Sequence, residues 1–446
     1  MKKGLISKIF VILLVVGLLF ADSPTRQAQA ANDLIHSGRY PSIPSPDDDV
    51  TVWIQSDTTD VETVHVEYVI DDVSKEVDGQ KGINILYPEA NWYAVIPAQS
   101  LGKTVTYRLI VRDENGNKKP SFERFSYTVM PGEVFVDDDF NSETTGWDVT
   151  HFATIQQGID GVADGGKVKI SAGTYQEGIT VTGRSIDLIG ERDGEGVPIV
   201  VINGWLSISN SDPFTSFEIK DIYFKGTNSH LLKLSNVDGR LDIDNCVFDG
   251  MGRFMTEPHI NGINLNTTIE VYVKNSVFKE GLYVGINGYN AGWIEVYDSE
   301  FINIKSGINL QSNSHSVQID RNYFKIKPVS ETDSYGVRFG SETGNANGLW
   351  MRRNTIEVDR TGGYTPSAGN YHAAIIIRAG VDPDAGPGNI YFTDNVINDE
   401  LVTFYKVEYL DTYFAANTWP EGYGVLGNKI TLIKPPQTIY LPLIFK

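Results

Sequence analysis

The amino-acid sequence predicts an all-β protein in which a small β-sandwich precedes a long parallel β-solenoid. Three observations carry this. An apolar-x-apolar pattern closed by Phe or Ile recurs between residues 217 and 397, and its closing residues, Phe224, Phe248, Phe278, Phe301, Phe324, Ile356 and Ile397, keep a base period of about 23 residues with insertions in three coils. Ahead of the repeat, five short runs of alternating apolar and polar residues are separated by turn residues. The 43 glycines and the 11% aromatic content suit a turn-rich β protein better than a helical one. With 446 residues, 41% hydrophobic and 21% charged, the chain is neither disordered nor a multi-span membrane protein. A net charge of −20 argues against a general nucleic-acid binder. The one cysteine, Cys246, excludes an intrachain disulfide.

The elements follow in order. Residues 1–30 read as a secretory signal peptide: Lys2, Lys3 and Lys8 precede an apolar run from Ile9 to Ala21 too short for a membrane span, and Ala28-Gln29-Ala30 is a small-residue cleavage site. An uncleaved anchor is the alternative. The expectation is a secreted or cell-surface protein of bacterial-type export, with no membrane span in the mature chain. Residues 31–45, with Pro41 and Pro44 among serines, suggest a linker. Residues 46–131 hold strand candidates at 50–54, 63–69, 92–96, 105–111 and 125–129, enough for a sandwich. The stretch WYAVIPAQSLGKTVTYRLIVRDENGN within them resembles the immunoglobulin-like accessory modules of secreted bacterial proteins. It carries no catalytic motif, and a spacer or surface-binding role is expected.

Residues 132–430 are assigned to the solenoid and 431–446 to a C-terminal capping or sorting tail. Ile155, Ile159 and Val162 have helical spacing after Thr154, which predicts a short helix capping the first coil. Two places before each closing residue stand Ile222, Cys246, Ser276, Ser299, Asn322, Asn354 and Asn395, a ladder position at a tight turn. Cys246 is therefore expected to be a small buried residue rather than a nucleophile. The entry segment, with its Ala-Thr-Ile-Gln and Gly-Thr-Tyr elements, followed by IDLIGE at 186–191 and the coils, resembles right-handed parallel β-helix proteins of the pectin-lyase-like superfamily. The resemblance implies a right-handed coil and a polysaccharide groove beside the strand that follows the long turn. It does not specify an activity, since lyases, hydrolases, esterases, epimerases and adhesins share this fold.

After each closing residue the chain enters a second short strand, aligned as LLKLS, GINLN, GINGY, GINLQ, GVRFG and IIRAG. Period two places Lys233, Asn264, Asn287, Asn309, Arg338 and Arg378 in one outward column about 24 Å long. Gly262, Gly285, Gly307 and Gly336 precede it and suggest an open floor. The longest connections, 249–261, 325–335 and 357–374, all enter this strand and would wall a groove. Paired arginines suit the carboxylates of a uronate-containing polysaccharide. β-Elimination would need such a neutraliser plus a base and an acid. The candidates are Arg338 and Arg378 to neutralise and Tyr289, Lys305 or His372 to carry protons, with Lys233, Asn264, Asn287, Asn309 and Gln311 binding substrate. The absence of Asp or Glu from the column disfavours an inverting hydrolase. The histidines show no metal-ligand spacing. The runs Asp137–Asp139 and Asp382–Asp384 are candidate calcium turns, and no cofactor is otherwise expected. The leading expectation is a monomeric lyase acting on an extracellular acidic polysaccharide. The alternative is a non-catalytic glycan-binding or surface structural protein.

Overall fold

The computed structural model describes residues 35–432 apart from 57–60, 83–89, 119–123, 212–214, 255–258, 313, 341–346, 379–389, 399–400, 405–411, 416–422 and 427–428. The segment expected as a signal peptide, residues 433–446 of the tail, and Asp382–Asp384 lie outside the described residues. None of the described helices is long and apolar enough to cross a membrane.

Among the described residues, the N-terminal unit contains two four-stranded antiparallel sheets. All five expected strands are present, and their inward positions, Val52, Ile54, Val64, Val66, Ala94, Ile96, Val105 and Leu109, are buried. The linker reading needs correction. Ile35–Tyr40 is a strand that pairs antiparallel with Val50–Ser56, so part of residues 31–45 belongs to the sandwich. The extra strand Val73–Asp78 is exposed on both faces, and so it carries no apolar alternation that sequence could reveal.

The second unit is a parallel β-helix. Its strands pair parallel with the corresponding strands of the next coil, in ladders that run from Glu133 to Ala415. The expected helix spans Ile155–Gly161, and Thr154 caps it by accepting from the Gln157 amide. The Glu177 carboxylate takes the amide hydrogens of Ile155 and Gln156, so two further N-terminal donors are satisfied.

Among the described residues, one sheet of nine strands carries the closing residues. Phe224, Phe248, Phe278, Phe301 and Phe324 are fully buried and stack coil on coil, with centroid separations of 5.1, 4.8, 4.6 and 4.5 Å. Each buried ring contributes roughly 1.5–3 kcal/mol through apolar burial.

The ladder position is continuous. The Cys246 amide donates to Ser276 Oγ, the Ser276 amide to Ser299 Oγ, and the Ser299 amide to Asn322 Oδ1. The amides of Asn322 and Asn354 then donate to Asn354 and Asn395 Oδ1, each at 3.0 Å. The residue before each rung, from Asp221 through Asn245, Asn275, Asp298, Arg321 and Arg353 to Asp394, is left-handed, which makes the tight corner. Burial pushes the Cys246 thiol up to about 12, so it is a structural rung as expected.

Candidate functional site

The register of the second short strand defines the outward column. Ser207, Lys233, Asn264, Asn287, Asn309 and Arg338 lie side by side on successive coils. The next position is Ile376, not Arg378: the strand Ser334–Phe339 pairs with His372–Arg378 so that Arg338 faces Ile376. Arg378 stands two residues further on, in register with Phe404. The expected pair of adjacent arginines is therefore not formed.

The glycine floor is also corrected. Gly262, Gly285 and Gly307 point into the solenoid, where an added Cβ would lie 2.9, 2.8 and 2.8 Å from the rings of Phe278, Phe301 and Phe324. They are small because the phenylalanine stack fills the space beside them.

The amides of the column form a relay. Gln311 Nε2 donates to Asn309 Oδ1 at 3.0 Å, Asn309 Nδ2 to Asn287 Oδ1 at 2.8 Å, and Asn287 Nδ2 to Asn264 Oδ1 at 2.9 Å. Each amide keeps a second N–H and a second lone pair for an outside partner. Burial rises along the row, with Lys233 exposed, Asn264 and Asn287 half-buried and Asn309 buried. Tyr289 is exposed beside Gln311 on the neighbouring coil.

At the Arg338 end the two long connections 325–335 and 357–374 are tied together. The Tyr371 amide donates to Asp333 Oδ1 at 2.7 Å, and the Ser367 amide to the Glu331 carbonyl at 2.9 Å. Arg360 Nη2 donates to the His372 carbonyl at 2.7 Å. Asp333 Oδ2 sits 3.6 Å from Arg338 Nη1, both side chains being about one-sixth exposed at 17% and 16%. Tyr335 packs here with Ser306 and Arg338 facing its hydroxyl, and burial pushes that hydroxyl up to about 12.

Two proposed proton carriers are withdrawn from the groove. Lys305 is buried: its Nζ donates to the Asp333 carbonyl at 2.7 Å and lies 4.1 Å over the Tyr283 ring, which stacks on His259 at 4.2 Å. Burial pushes its amine down to about 8, the charge of Asp333 opposing the shift. His372 is also buried, with Nε2 hydrogen-bonded to the Ser330 carbonyl at 2.9 Å, and burial lowers its pKa. Neither reaches the column surface as a base or acid. Sequence reasoning missed Asp333, Tyr335, Tyr283 and His259. Asp333 was hidden because it lies in a connection and approaches Arg338 only when the loop folds back.

At the candidate calcium turn, Asp137 Oδ1 accepts from the Asp139 amide at 3.0 Å. Among the described residues, His65, Glu76 and Asp78 of the N-terminal unit bring three ligand-type atoms within 4.8 Å of one another. They meet by cross-strand pairing, which spacing along the chain does not display. His65 Nδ1 lies 3.1 Å from Glu76 and 2.9 Å from Asp78.

No known protein family matches the chain, and no curated protein does. Solved structures align with the chain only weakly. Pectin methylesterase PemA from Erwinia chrysanthemi aligns with a TM-score of 0.38 and 13% identity over 66% of this chain and 91% of its own. Escherichia coli YbhC aligns at 0.37 and 11% over 68% and 89%. A family 28 exopolygalacturonase from Yersinia enterocolitica aligns at 0.28 and 11% over 85% and 95%. The parallel β-helix assignment rests on the strand pairings of this chain itself.

Proposed function

We propose that this chain is an exported protein that binds an acidic, uronate-containing polysaccharide in the walled groove over the Asn264–Arg338 column. The observation that carries this reading is the interlocked amide row of Asn264, Asn287, Asn309 and Gln311 ending at the half-buried guanidinium of Arg338. The amides supply paired donors and acceptors for hydroxyl groups at the coil spacing of about 4.8 Å. Arg338 supplies a planar fork for a carboxylate. The column contains no acid, so this strip is a local exception on a chain of net charge −20. Asp333, set behind Arg338, orients the guanidinium and leaves part of it to the groove.

Cleavage by β-elimination is the second reading, favoured by one observation: Arg338 and Tyr335 lie together, a carboxylate neutraliser beside a phenol. Tyr335 is 4% exposed, so the phenol must be uncovered before it can exchange a proton with substrate. The test is a panel of polyuronates and neutral glycans, with retention and the ultraviolet absorbance of unsaturated products followed together. Retention of polyuronates without absorbance selects the binding reading. Absorbance that vanishes in Tyr335→Phe selects the lyase. Retention of neutral glycans only would overturn both.

A further inference from the structure

The column does not continue past Arg338. Its next occupant is Ile376, fully buried although it stands in the outward register, and Val402 follows on the coil after that. Ile376 packs with Tyr335 and Ala373 in an apolar cluster separate from the solenoid core, and Tyr371 lies against it. These side chains belong to the strands Ser334–Phe339 and His372–Arg378 and to the connection before the second of them. The polar strip therefore opens at Lys233, which is exposed, and is stopped at Arg338 by an apolar plug.

A second observation marks the stopped end. Ser334 Oγ, Arg338 Nε and His372 Nδ1 are buried and have no hydrogen-bond partner. Ser334 and His372 face each other in register, and their side chains are almost wholly buried. A buried polar atom that has lost water and gained no partner is destabilising. Arg338 Nε lies at the stopped end, Ser334 and His372 stand four residues earlier on the same two paired strands, and none is on the amide relay itself. Arg338 is the one whose side chain remains in part accessible, so a ligand arriving along the strip meets it first.

We infer that the groove takes the end of an acidic glycan chain rather than its interior, with the terminal uronate carboxylate on Arg338 and the following sugars over Asn309, Asn287 and Asn264. This rests on the acidic-glycan reading above and adds a direction to it. A chain interior laid over Arg338 would have to continue across Ile376, where its hydroxyls would lose water and find no partner.

The experiment uses the wild-type protein and oligouronates of defined length carrying a bulky fluorophore on one terminus or the other. The expected result is that one label weakens binding by about tenfold or more, ~1.4 kcal/mol, while the other leaves it unchanged. In parallel, affinity for unlabelled polyuronate expressed per chain should match that of a hexamer. Equal binding of both labelled forms, with per-chain affinity that climbs in proportion to length, would overturn the inference and leave the acidic-glycan reading standing. No binding of any oligouronate would overturn both.

Discussion

Lys305→Met isolates the buried amine at the wall of the groove. In the wild type the amine is pushed down to about 8 from an ordinary 10.5, chiefly by burial. The sign follows from the proton count. Between these two values the unfolded chain holds the proton and the folded chain releases it, so folded-state stability rises with pH across that window. At pH 7 both states are charged and the folded state bears the whole cost, roughly 3 kcal/mol. By pH 9.5 about 2 kcal/mol of it is recovered, because the folded amine is then largely neutral. Buried tyrosines do not enter until their unfolded value near 10 is approached, so the window from 7 to 9.5 isolates the lysine. Urea unfolding of wild type and Lys305→Met across that range should show the wild type gaining on the variant by about 2 kcal/mol. Parallel profiles would refute the burial of Lys305 and with it the closed geometry around Asp333.

Three further outcomes are expected. Asn354→Ala removes the acceptor of the buried Asn322 backbone amide, while the Asn322 side chain keeps the Val296 and Asp320 carbonyls. It should cost roughly 1–3 kcal/mol in urea unfolding. Gly285→Ala drives a methyl to 2.8 Å from both the Phe301 ring and the Gly307 carbonyl, and should destabilise by roughly 1–3 kcal/mol, measured the same way. Arg338→Ala should reduce polyuronate retention by tenfold or more, about 1.4 kcal/mol, while Arg378→Ala, which stands outside the column, should leave it unchanged.

The coil period, the closing residues and the rungs from Cys246 to Asn395 were legible because each repeats at a fixed place relative to a tight turn. The groove column was legible as far as Arg338, where apolar and polar residues alternate cleanly. It failed at the next coil for a physical reason. Ala373 to Ile377 is apolar throughout, since its outer face is covered by Tyr335 and Tyr371 and its inner face by the core. Without alternation, period two cannot fix register, and the arginine that follows was drawn into the wrong column. The glycines misled for a related reason: a small residue in sequence signals close approach without saying from which side. Here the approach comes from the phenylalanine rings within. The burial of Lys305 depends on a carbonyl 28 residues away in a connection, information that local pattern does not hold.

The most direct measurement is the structure of the protein with a bound oligouronate. The account predicts a terminal carboxylate within hydrogen-bonding distance of the Arg338 guanidinium, about 3 Å, and the chain running from there over Asn309, Asn287 and Asn264 toward Lys233. A chain bound elsewhere, such as on the face bearing the exposed Trp293, or one crossing Ile376 with both ends free, would contradict it.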